Sequence, residues 1–219
     1  MKKIVSIVIA SVLILSSGCA ISLHEAAQYG ETQEVDTLLD KGVDINSKNE
    51  IGRTALQEAA YYGNMEIIAL LIKKGADVNA KEDRYGSTAL HIAVYNSYKE
   101  IVESLLTAGA DINAEDDYSR TPLFGTVRTG NRILSRFLIK NGADVNVKEK
   151  KFGFTPLHFA VNNQHKDIVL MLLESGADIN ARDNKDLTPL NEAYENNDTP
   201  MIDILISRGA IANTSIYEK

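Results

Sequence analysis

Apolar positions recur along this chain in two short bursts separated by a polar break, and the pair then repeats. From Phe154 to Asn180 the sequence reads FTPLHFAVNNQHKDIVLMLLESGADIN. Leu157, Phe159, Ala160 and Val161 mark a first short helix, Asn162–Gln164 interrupts it, and Ile168, Val169, Met171, Leu172 and Leu173 mark a second. Thr155 is a good N-cap, and Pro156 suits the first helical position, where its missing N–H costs nothing. Gly176 can adopt the left-handed conformation that stops the second helix. Ala177–Asp178–Ile179–Asn180 is expected to lead the chain away in extended form.

The unit is copied along the chain. Stop-signal glycines stand at Gly42, Gly75, Gly109, Gly142, Gly176 and Gly209, at steps of 33 or 34 residues. Helix-opening threonines at Thr54, Thr88, Thr121, Thr155 and Thr188 keep the same steps. A fixed period of this size means stacked supersecondary units. The runs Thr155–Pro156–Leu157–His158–Phe159–Ala160 and Thr88–Ala89–Leu90–His91–Ile92–Ala93, with GADVN-like ends in five units, resemble the ankyrin repeat family. The resemblance covers roughly nine-tenths of the chain. It implies an all-α solenoid of about six helix–turn–helix repeats joined by β-hairpin-like loops.

The array is expected over 21–213, in units near 21–50, 51–84, 85–117, 118–151, 152–184 and 185–213. The first unit lacks the threonine and carries Glu25 where the fifth has Phe159, a polar choice that suits an end cap facing water. The sixth, with Asn191 and Glu192, reads as cap-like again, and Asp198 or Thr199 should cap its outer helix. Thr54-x-x-Gln57 is a capping box. The fourth unit departs most: Phe124 replaces the histidine, and Gly125 and Thr126 replace an apolar pair inside a helix. Glycine there costs about 1 kcal/mol relative to alanine, which marks the weak point of the stack. Arg128, Arg132 and Arg136 are four apart, but the Gly130–Asn131 turn should break that line. The links Asn79–Thr88 and Asn146–Thr155 are one residue longer and read as solvated hairpin tips. From Ala212 the chain turns polar and is expected to fray, with 214–219 a tail outside the array.

The first 20 residues follow another pattern. Met1–Lys2–Lys3 is positive, and Ile4 to Leu15 is apolar apart from Ser6 and Ser11. That run is shorter than the roughly 20 residues needed to span a membrane and suits the apolar core of a secretory signal peptide. Ser16–Ser17–Gly18–Cys19 then looks like a bacterial lipobox, although Ser16 stands where leucine is more usual. The resemblance implies cleavage after residue 18 and lipid (palmitate among it) on Cys19, hence a lipoprotein of the bacterial cell envelope. Ala20 lacks the aspartate signal for inner-membrane retention, so the default is the periplasmic side of an outer membrane. Removing residues 1–18 takes away Lys2, Lys3 and no acid, moving the formal charge from −7 to −9. The competing reading keeps Cys19 as a buried thiol in a cytosolic chain.

Composition excludes more than it assigns. Hydrophobic content of 44% is that of a folded chain, and a single cysteine rules out an intrachain disulfide. Net negative charge argues against a nucleic-acid partner. His24, His91 and His158 occupy equivalent places two repeats apart, roughly 20 Å at helix-layer spacing, too far to share a metal. In the family this histidine bonds the threonine and the backbone. His165 falls in a turn and is expected to be solvated. No Gly-x-Ser-x-Gly or phosphate-loop motif occurs, and carboxylates such as Asp116–Asp117 are expected on solvated tips. Neither catalysis, a cofactor nor a small-molecule substrate is expected.

The family resemblance implies a protein partner, held by the inner-helix ends and the hairpin tips. Carried over position by position, the helix-end residues are Tyr29, Tyr61, Tyr62, Tyr95, Asn96, Arg128, Thr129, Asn162 and Asn163. The tip residues are Tyr85, Tyr118, Phe152 and Phe154. Eight of the fourteen Phe and Tyr residues lie in these places, and aromatics and arginine are enriched at binding hot spots. The alternative is that the tip rings pack along the stack, Tyr85 against Tyr118 and Phe152. Function is thus expected to be protein binding by an envelope-anchored module. A toxin-neutralising immunity role and an unanchored adaptor are the alternatives.

Overall fold

The computed structural model describes residues 21–213, which form twelve helices and no strand. Six inner helices, Leu23–Tyr29, Ala55–Tyr62, Ala89–Tyr95, Pro122–Thr129, Pro156–Asn162 and Pro189–Glu195, alternate with six outer ones. The outer helices are Thr32–Asp40, Met65–Lys73, Lys99–Thr107, Arg132–Lys140, Lys166–Glu174 and Thr199–Ser207. Each inner helix packs on the inner helix of the next unit, and each also packs on its own outer partner. The result is the expected all-α solenoid, with the core between the two helix layers.

The repeated letters explain the packing. Leu23, Leu56, Leu90, Leu123, Leu157 and Leu190 are all buried, and the small pair Ala59–Ala60, Ala93–Val94 or Ala160–Val161 lets inner helices approach closely. Outer helices bury a stripe at i, i+1 and i+4, as in Ile67, Ile68 and Leu71 or Ile168, Val169 and Leu172. Thr54, Thr88 and Thr155 accept the backbone N–H three residues on, and the side chain there returns a bond to the threonine N–H. Unit one does the same one residue later, with Ser22 and Glu25. The reciprocal pair caps the helix regardless of which acceptor, Gln57, His91 or Glu25, supplies the third-position bond.

Three expectations are corrected by the geometry between units. Ala177–Asn180 is not extended: the Asp178 carboxylate accepts from Asn180 N (3.0 Å) and Ala181 N bonds the Asp178 carbonyl (3.1 Å), closing a turn. The asparagine that follows faces the next unit. Asn79, Asn113 and Asn146 each accept the N–H of Asp111, Asp144 and Asp178 at 2.8 Å and donate to Gly109, Gly142 and Gly176. The hairpin tips are also more tied down than solvated loops. Glu82 and Glu149 are buried and accept the N–H groups of their own loops, as Asp116 does with Tyr118 and Arg120. Asp116 is therefore a buried, ion-paired carboxylate and only Asp117 stays exposed. Among the described residues, ladder pairing is limited to Lys48 with Thr54. Tips instead join edge to edge, Asp117 N to the Tyr85 carbonyl (2.9 Å) and Lys150 N to that of Tyr118 (2.8 Å). Gly86 sits in that contact at φ 67°, where a Cβ would lie 2.3 Å from Asp117.

The ends also differ from expectation. Glu25 is exposed as expected, but Asn191 and Glu192 of unit six are buried. Asn191 is covered by the chain that follows, donating to the Asn213 carbonyl (3.1 Å) and accepting its N–H (2.9 Å). Asn213 also donates to the Asp186 carbonyl (2.8 Å), so the polar stretch is pinned through residue 213 and does not fray there. Burial, followed by the Glu195 charge, pushes the Glu192 carboxyl above its ordinary pKa. Asp198 caps the last helix by accepting from Met201 N (3.1 Å).

Candidate functional site: the groove of units two to four

Inner-helix ends and loop tips of units two to four meet around one cavity of about 470 Å³. Tyr61, Tyr95, Asn96 and Arg128 reach it from helix ends, Tyr85 and Tyr118 from tips. Those six expected residues come together. Their four rings remain 40–52% exposed although none is needed outside for folding. Tyr62 is also exposed and lies edge-on to Tyr61 at 5.1 Å, just off the cavity. Its burial and the neighbouring Glu58 raise its hydroxyl pKa.

The remaining expected residues lie elsewhere. Tyr29 is half-buried in unit one, Asn162 accepts from Asn196 (3.3 Å) on the far units, and Phe152 is exposed at the fifth tip. Phe154 is turned inward, flat against His158 at 5.4 Å and edge-on to Phe159 at 5.7 Å, which makes it part of the packing of unit five. Stacking along the tips holds for Tyr85 with Tyr118 (6.5 Å), while Phe152 pairs with Phe154 (5.6 Å). Cys19 lies outside the described residues.

Of the cations, position in the repeat revealed Arg128 but not Arg53, Arg84 or Arg120. Each of the four tyrosines carries a guanidinium on its face: Arg53 over Tyr61 at 4.7 Å, Arg84 over Tyr85 at 5.0 Å, Arg128 over Tyr95 at 4.7 Å and Arg120 over Tyr118 at 4.6 Å. Each exposed contact contributes about 0.5–1 kcal/mol and fixes the plane of the guanidinium. Arg120 is also paired with Asp116 at 2.8 Å, and Arg53 lies 3.8 Å from Glu58. Arg128 has no acidic partner among the described residues. Arg132 and Arg136 stand on the outer helix beyond the turn, so the three arginines form no continuous stripe.

Of the equivalent histidines His24, His91 and His158, His91 lines the groove. Thr88 N–H donates to His91 Nδ1 (3.2 Å), which leaves Nε2–H to donate to the Arg120 carbonyl of the next unit (2.9 Å). His158 repeats this with Thr155 (3.2 Å) and the Leu187 carbonyl (3.3 Å), and His24 reaches the Ser47 carbonyl (2.8 Å). The threonine bond matches expectation, and the bond across to the next unit is new. Burial lowers the pKa of both His91 and His158, so each is a neutral strut. His165 is half-buried against Gly130 and not fully solvated.

Unit four forms the floor. Without a third-position acceptor, Thr121 makes no capping bond and its buried hydroxyl has no partner. Phe124 compensates by packing edge-on against Phe159 at 5.4 Å, and Thr126 accepts from Ser135 (2.9 Å). Gly125 occupies the place of Ile92 and Phe159 and lines the cavity, where a Cβ would come 3.2 Å from Val94. No described helix is long and apolar enough to cross a membrane.

A family model described as Ankyrin repeats (3 copies) matches residues 23–116 and 109–183. No curated protein matches the chain.

Proposed function

Because the chain belongs to the ankyrin repeat family, we propose that it is a protein–protein recognition module that holds its partner in the groove of units two to four. The observation that carries this is the set of four exposed tyrosines, each with an arginine on its face, gathered at one cavity. Such rings offer contact area at low entropy cost, and a groove already in place loses little freedom on binding. Ankyrin repeat proteins are generally interaction modules, which supports this reading.

The reading extends to the N-terminus. The charged start, apolar run and Ser16–Ser17–Gly18–Cys19 support lipid on Cys19 and a place in the bacterial envelope. The net negative charge of the chain disfavours spreading on an anionic bilayer, so the array would stand off it.

Two experiments test these parts separately. Tyr61→Ser with Tyr62→Ser and Tyr95→Ser removes two cation–π contacts and one ring pair, lowering stability by about 1–2 kcal/mol, and abolishes partner capture from envelope extracts. Undiminished capture sinks the groove. Cys19→Ser should move the protein from the detergent-extracted to the soluble fraction, and retention in the membrane rejects the anchor.

A further inference from the structure

The groove is unlike the rest of the molecule in charge. The chain is formally −7, yet the cavity is lined by Arg53, Arg120 and Arg128 against Asp116 alone. Asp116 is spent on Arg120 (2.8 Å) and Arg53 has a distant carboxylate at 3.8 Å, whereas Arg128 has none among the described residues. Arg128 is exposed with its guanidinium over the Tyr95 ring at 4.7 Å, and a guanidinium without an acidic partner can take a carboxylate through two N–H groups. Beside it the floor is missing a side chain. Units three and five carry Ile92 and Phe159 where unit four has Gly125, and the gap is bounded by Phe124 and Phe159. A helix-interior glycine costs about 1 kcal/mol, and here it lines the cavity with bare backbone, its Cβ position lying 3.2 Å from Val94 Cγ1.

We infer that the groove recognises an acidic segment of a protein partner, with a carboxylate on Arg128 and an adjacent apolar side chain in the slot over Gly125. This rests on the groove being the partner surface and adds the partner's chemistry. A basic segment would meet like charge at Arg128, and a neutral one would leave that cation buried without an anion. A single-stranded nucleic acid also stacks on aromatics beside arginines, but it would feel the negative charge of the whole chain.

The test uses the full-length chain in detergent and fluorescence polarisation with labelled peptide pools. One pool alternates Asp/Glu with Leu/Phe; the others place Lys/Arg or Asn/Gln at the acidic positions, and a single-stranded DNA oligonucleotide is the fourth probe. The acidic pool should bind about tenfold tighter than the neutral one, weaken with added salt and lose its advantage in Arg128→Glu. Arg136→Glu, on the outer helix, should bind as the parent does. Gly125→Ile should weaken the acidic pool without changing its preference over the neutral one; Arg128→Glu carries the test if that variant fails to fold. Equal binding of acidic and neutral pools, equal loss in Arg136→Glu, or tighter binding of the oligonucleotide overturns the inference. If envelope capture depends on Tyr61, Tyr62 and Tyr95 but ignores Arg128→Glu, the groove stands and the acidic partner falls. If capture ignores the tyrosines too, both fall.

Discussion

A single ring shows how one residue can serve two units at once. His158 accepts from the Thr155 N–H with Nδ1 and donates Nε2–H to the Leu187 carbonyl, and the first of these bonds needs the neutral ring. Burial lowers the folded-state pKa of His91 and His158, while the unfolded value stays near 6.5. Below about pH 6.5 the unfolded chain therefore binds protons that the folded chain resists, and stability falls as pH drops through that range. Gln57 makes the equivalent bonds to Ala80 and Ser87 without a titrating group. His91→Gln with His158→Gln should thus keep most of the stability at pH 7.5 and flatten its decline between pH 7 and 5.5, as read by urea unfolding at each pH. An equally steep decline in the variant would assign the pH dependence to other groups. The Thr–His half of this arrangement was legible because the two lie three residues apart on one helix. The second half joins residues 29 apart, and a spacing rule carries no trace of it. Arg128 was legible as a helix-end residue. Its seat on Tyr95 and the roles of Arg53, Arg84 and Arg120 were hidden for the same reason, since Arg53 reaches Tyr61 and Arg128 reaches Tyr95 only because loop and neighbouring helix bring them there.

Helices and turns were more legible than the joints between them. Caps, stop glycines and buried stripes are local, so periodicity sufficed. The tips were misjudged because charged letters suggested solvent, whereas Glu82, Asp116 and Glu149 are buried by accepting the N–H groups of their own loops. The C-terminal joint was misjudged likewise. Asn191 sits where His158 does and is equally buried, and Asn213 supplies the bonds that the next unit's carbonyl supplies to His158. A chain ending at Ala212 would strip both bonds from a buried amide and should lose about 1–3 kcal/mol relative to a chain ending at Asn213. Thermal or urea melts of the two truncations check this, and equal stability would mean that water replaces Asn213 at no cost.

At the scale of the whole stack, stability is a chain of neighbour contacts, so one weak unit sets where the array opens. Unit four lacks the capping bond, worth about 1 kcal/mol, and carries Gly125 at a cost of about 1 kcal/mol more. The Phe124–Phe159 contact and the Thr126–Ser135 bond return part of this, but they tie unit four to unit five and to its own outer helix. Towards unit three it is held by the His91 bond to the Arg120 carbonyl (2.9 Å), by Arg128 over Tyr95 and by Asn131 donating to Ser97 (2.9 Å), none of which replaces the missing cap. Amide exchange should therefore find Leu123–Thr129 opening at a free energy about 1–2 kcal/mol below that of Leu90–Tyr95 and Leu157–Asn162. Phe124→His would restore the acceptor for Thr121 and should narrow that difference, although it gives up the ring contact with Phe159. Equal protection across the three inner helices would show that the aromatic and hydroxyl contacts offset the missing cap in full. A groove built on the least stable unit has a further consequence: any segment that binds across Tyr95 and Arg128 braces unit four against unit three. Its affinity should then appear as slowed exchange in unit four before any change in units one or six.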